Sequence, residues 1–140
     1  MRYSALLLIL CAFCTLNMAA QEQGAAKPTV TNFDCPKYPA KAESLGLQGM
    51  VQLQVTTDGH RVAGVKVTSG HPVLAQAAMQ NVETWQFADH APTTFPVTYF
   101  FNNLNDSKKR NSDAGSKCPA AKMELPDKVT VTTRAPFPRL

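Results

Sequence analysis

The 140-residue sequence has no glycine-rich phosphate loop, no G-x-S-x-G elbow, no pair of histidines at metal-ligand spacing and no convincing pair of carboxylates. Each absence removes a chemistry. A P-loop nucleotide site needs the glycine-rich turn, an α/β-hydrolase needs the elbow, a helix-borne zinc site needs two imidazoles on one face, and glycoside hydrolysis needs two carboxylates. His60, His71 and His90 fall in a turn, at a helix start and in a loop, and Ser69-Gly70-His71 reads as turn and cap chemistry rather than nucleophile and base. The reading is a non-enzyme with no cofactor, no metal and no small-molecule substrate. Long hydrophobic runs are also scarce: residues 5–16 form the longest, short of the roughly 20 residues that span a bilayer.

What the sequence does contain is one small domain's worth of chain. Its 44% hydrophobic and 17% charged residues are ordinary for a globular protein. Arg2, the apolar run and Met18-Ala19-Ala20 have the order of a secretory signal peptide over residues 1–20, cleaved after Ala20. Cys11 and Cys14 lie inside it, and Leu10 and Phe13 before them are not the small residues that a lipidation site wants. Cys35 and Cys118 remain. An oxidising compartment favours pairing between them, with free thiols or an intermolecular bridge as the other outcomes. The net charge of +4 belongs to the tail beyond Asn105. Lys108-Lys109-Arg110 sits there among Asn, Ser, Asp and Gly, as in a solvated loop, so no nucleic-acid partner is expected.

Residues 21–37 are a polar lead-in without periodicity, and 39–45 suit a short helix with Ala40, Ala42 and Leu45 as its apolar members. Val51, Leu53 and Val55 alternate with Gln52, Gln54 and Thr56, and Ala63, Val65 and Val67 alternate with Gly64, Lys66 and Thr68. Asp58-Gly59 lies between the two runs, so the stretch reads as a tight hairpin with one buried face. Pro72 suits a helix first turn, and Leu74, Ala78, Val82 and Trp85 follow at helical spacing. After a loop over 88–94, Phe95, Val97, Tyr99 and Phe101 alternate with Pro96, Thr98 and Phe100 in a third strand. Pro96 cannot donate to a ladder, which assigns that strand to a sheet edge.

The order helix, strand, strand, helix, strand resembles the C-terminal domain of the TonB energy-transducer family. The residues that carry the likeness are Tyr38-Pro39 with Ala42, Gly49 with Val51, Asp58-Gly59 and Arg61-Val62, Ser69-Gly70-His71-Pro72, Leu74, Ala77-Ala78, and Trp85 with Phe87. The resemblance implies an α+β fold over residues 38–103: a small antiparallel sheet of three strands with two helices on one face. It also implies a periplasmic module that recognises an outer-membrane receptor or other envelope protein by adding a strand of the partner to its edge. The receiving edge would be Phe95, Pro96, Val97, Thr98, Tyr99, Phe100 and Phe101, and self-association through the same edge is a further expectation.

The segment before Tyr38 carries neither a histidine nor a Pro-rich spacer, both of which the family's motor-coupled members have. A stand-alone exported module is therefore the expectation. The alternative is an energy transducer anchored in the inner membrane and coupling the proton gradient to outer-membrane transport. Residues 104–140 form a basic tail in which 128–133 place Val129 and Val131 on one face of a candidate fourth strand. That strand is expected on or near the sheet, competing with a partner for the edge.

Overall fold

The computed structural model describes residues 27–103 and 117–133. The expected signal peptide with Cys11 and Cys14, and the Lys108-Lys109-Arg110 cluster, lie outside the described residues. No helix among the described residues is long and apolar enough to cross a membrane.

The hairpin forms from β2 (Gly49–Thr57) and β3 (Val62–Ser69), with Val55 opposite Val65 and Gln54 opposite Lys66. Its connection is a four-residue loop rather than a two-residue turn, because Asp58 folds the backbone around its own carboxylate. Asp58 Oδ1 accepts from the N–H groups of His60 and Arg61 at 2.9 and 2.8 Å, and Gly59 takes the positive φ. The register shifts next to this loop, and Val62 rather than Ala63 becomes the half-buried residue.

β5 (Thr94–Asn103) pairs antiparallel along the other side of β2, Val51 facing Tyr99 and Val55 facing Phe95. The period-2 pattern then puts Phe95, Val97, Tyr99 and Phe101 on the same buried face as Val51, Leu53 and Val55. The opposite face carries exposed and half-buried polar side chains such as Gln52, Thr56 and Thr94.

Helix α2 (Pro72–Val82) starts where Pro72 loses nothing by lacking an N–H, and the His71 ring caps it by accepting from the Val73 N–H at 3.3 Å. Leu74, Ala75, Ala78 and Val82 are buried toward the β2–β3 hairpin. The helix stops at Val82, so Trp85 enters the core from the turn that follows and not from the helical stripe. Helix α1 (Ala40–Leu45) buries Ala42, meets α2, and ends at Gly46, whose left-handed φ of 63° lets its N–H turn back to Glu43 O. Between lead-in and loop, β1 (Val30–Asn32) pairs with β4 (Gln86–Phe87), two short strands that carry no alternating signal in the sequence.

The tail alters the sheet. It supplies β6 (Ala121–Glu124) and β7 (Lys128–Thr133), and the strand order is β3-β2-β5-β7-β6. The fold is α+β as expected, with five strands in the main sheet rather than three or four. The added pairing is parallel: Tyr99 lies beside Val129 and Phe101 beside Val131. Cys35 and Cys118 are joined in a disulfide with Cα atoms 5.4 Å apart, which ties the start of the tail strands to the lead-in.

Candidate functional site

The expected receiving edge, Phe95 through Phe101, is not a free edge along its length. β5 lies between β2 and β7, and β7 covers it from Thr98 to Asn103. The Thr98 N–H donates to Asp127 O at 2.9 Å, so the backbone donors of Thr98, and by alternation of Phe100 and Asn102, point toward the tail strand. Pro96 falls on the same side two residues earlier, just before β7 begins. Its missing N–H therefore marks a short unpaired stretch, not an unpaired strand.

The seat that β7 occupies has a defined chemistry. On the core side Val129 and Val131 are fully buried beside Tyr99 and Phe101, and Thr133, at 9% exposure, donates its hydroxyl to Glu43 on α1. On the open face Lys128 Nζ stands 5.2 Å from the centroid of the Phe100 ring and 3.6 Å from Glu124. Further contacts hold the strap: Lys117 Nζ bonds Phe33 O at 2.7 Å and lies over the Phe33 ring, and Lys27 pairs with Asp127 at 2.7 Å. The lysines of the described tail residues are thus engaged in the fold.

Beneath the seat, the side chains of β5 are fixed from below. The Tyr99 hydroxyl donates to Asn81 Oδ1 at 2.7 Å, the Trp85 indole N–H approaches the same oxygen at 3.4 Å, and Asn81 Nδ2 donates to Asp34 O at 2.7 Å. Burial pushes the Tyr99 hydroxyl well above its ordinary pKa. Tyr38 packs edge-on against Phe101 with ring centroids 5.5 Å apart and donates to Leu47 O; its own pKa is raised by burial first and by Glu43 second. Pro39 serves as the N-cap of α1, and Gly49 lies opposite Phe101. Tyr38 and Gly49 therefore both adjoin Phe101 on β5.

The three histidines are not brought together. His71 caps α2, His60 lies 2.8 Å from Asp89, and His90 bonds Thr57 Oγ1 and Ala88 O. Sequence reasoning missed Glu43, Asn81 and the Lys128 contact with Phe100. A lone carboxylate on a short helix and a lone amide on a long one carry no signal until the tail has been placed.

Residues 34–102 match the family model for the Gram-negative bacterial TonB protein C-terminal. This segment contains Tyr38, Pro39, Gly49 and nearly all of β5, while β6 and β7 lie beyond it. Among solved structures the chain is similar to the solution NMR structure of the Pseudomonas aeruginosa TonB CTD. The two are 21% identical, the match covers 63% of this chain and 95% of that one, and the TM-score is 0.49. No curated protein matches the chain significantly.

Proposed function

We propose that the domain serves TonB-type transport as a periplasmic binding module, exported through a cleaved signal peptide. It recognises an outer-membrane receptor or other envelope protein by strand addition to the outer side of β5, and it carries out no reaction of its own. The observation that supports this reading is that this side of β5 accepts an added strand: β7 lies there in register over Thr98 to Asn103. Main-chain groups supply most of the affinity in such pairing, and alternate side chains supply selectivity.

The test is a photocrosslinking amino acid placed at Asn102 on β5, with Thr68 on the opposite edge strand as control, in cells that express the full chain. Crosslinks from Asn102 to an outer-membrane receptor identified by mass spectrometry, absent from Thr68, are expected. Crosslinks from Thr68 alone, or from neither position, overturn the reading.

A further inference from the structure

We infer that β7 is a built-in occupant of the receiving strand, and that its sequence states the chemistry of the strand that replaces it: a segment running parallel to β5 with a cation first, β-branched apolar residues second and fourth, and a hydrogen-bond donor sixth. The inference rests on the strand-addition reading and deepens it.

The argument starts from what leaving costs. Withdrawing β7 uncovers Tyr99 and Phe101, strips Val129 and Val131 of their burial, and leaves the outward N–H groups of β5 without partners. A partner that merely lies against the surface repays none of this. A partner that exchanges with β7 repays all of it, provided that it presents the same groups at the same spacing. Displacement is then a swap of like for like, and its balance is set by the difference between two occupants.

Four features of the domain read the incoming strand. Tyr99 and Phe101 take two small apolar side chains two residues apart, as they take Val129 and Val131. The Phe100 ring on the open face takes a cation one residue before the first of these, as it takes Lys128. Glu43, a carboxylate, takes a donor two residues after the second, as it takes Thr133. The phase is strict, because a slip by one residue turns both apolar side chains to the open face.

The disulfide sets how hard the swap is. With Cys118 tied to Cys35, β7 is tethered through residues 119–127; without it the tether runs through residues 104–127 from the end of β5. Effective concentration falls roughly as the −3/2 power of tether length, so opening the disulfide makes the internal strand about fourfold less competitive.

The experiment uses the full chain with Val131→Asp, which places a carboxylate where β7 must be buried and so keeps it off the seat. Two labelled peptides are titrated: Asp-Lys-Val-Thr-Val-Thr-Thr, and Asp-Lys-Thr-Val-Thr-Val-Thr, which shifts the valines to the other face. The in-phase peptide is expected to bind the variant at least tenfold tighter than the shifted one, and at least tenfold tighter than it binds the unaltered chain. Glutamate in place of its last threonine weakens it severalfold, and Glu43→Lys restores it.

Should Val131→Asp fail to fold, the double variant Cys35→Ser/Cys118→Ser replaces it, with about a fourfold gain in in-phase affinity over the unaltered chain. Equal binding of the two peptides, or no gain when the tail strand is loosened, overturns the inference. The two readings fail separately. Phase-selective peptide binding without receptor crosslinks at Asn102 removes the receptor and keeps the occupant; receptor crosslinks without phase preference do the reverse.

Discussion

The Asn81 side chain makes three hydrogen bonds from a position 7% exposed, and each partner belongs to a different part of the chain: Asp34 in the lead-in, Trp85 after the helix and Tyr99 on β5. Removing it leaves buried donors unpaired, whereas removing only the Tyr99 hydroxyl leaves the amide with other partners. Asn81→Ala should cost about 3 kcal/mol or more in urea unfolding and Tyr99→Phe about 1 kcal/mol, on the asymmetry between an orphaned and a deleted polar group.

Asp58 makes a second residue-scale prediction. The backbone N–H of Arg61, then that of His60, hold its carboxyl below the usual value. A lowered folded-state pKa gives stability that is present above the unfolded-state pKa and is lost as pH falls through the folded one. Melting temperature should therefore decline on acidification below the ordinary aspartate range. The Asp58→Asn variant, which keeps an acceptor without the titration, should decline less there in parallel scans.

The elements meet at junctions that tolerate little change. Gly70, between β3 and α2, has a φ of 127°, and a Cβ there would stand 2.8 Å from Val51 Cγ2 and 3.0 Å from the Val51 backbone. Gly70→Ala should destabilise the domain by about 2–4 kcal/mol, combining backbone strain with a contact that the buried β2 cannot relieve; a chemical denaturation curve reads it directly.

At this scale much of the architecture was legible in the sequence. The alternation of Val51, Leu53 and Val55 and the stripe from Leu74 to Val82 each determine local geometry through spacing alone, whereas Asp58-Gly59 marked the place of the connection but not its four-residue length. β6 was not legible, since Ala121 and Met123 are too few to form a pattern, and β1 and β4 are too short to alternate. The parallel course of β7 was invisible for another reason: its direction depends on where Cys118 is anchored. Pro96 signalled a gap in the ladder correctly, but a single missing donor fixes one position of a strand and not the state of its whole edge. The candidate site was therefore half readable, its inner residues from the Tyr38 and β5 pattern and its covering strand from Val129 and Val131 alone.

For the whole molecule, the Cys35–Cys118 bond spans a sequence separation of 83 residues. In the chain-entropy account a loop of that length contributes about 4–5 kcal/mol as an upper figure, comparable with the total stability of a small domain. Reduction should shift the urea midpoint down by a corresponding amount, and an unchanged midpoint would show that the strap is held without it. Ending the chain after Asn103, with Cys35→Ser, removes the disulfide together with the burial of two valines and should lower stability by more than reduction alone does. It should also strengthen binding of an extended receptor peptide, as followed by fluorescence anisotropy.

The position of β7 at the far end of the chain sets an order of birth. β2, β3, α2 and β5 all precede in the chain the strand that covers β5, and the parallel pairing must wait for a long connection. Every molecule thus passes through a youth in which Tyr99 and Phe101 lie beside bare main-chain donors, the condition under which edges of neighbouring chains join. Newly made protein, rather than mature protein, is where misassembly should concentrate. Speed of β7 docking, not final stability, would then govern yield.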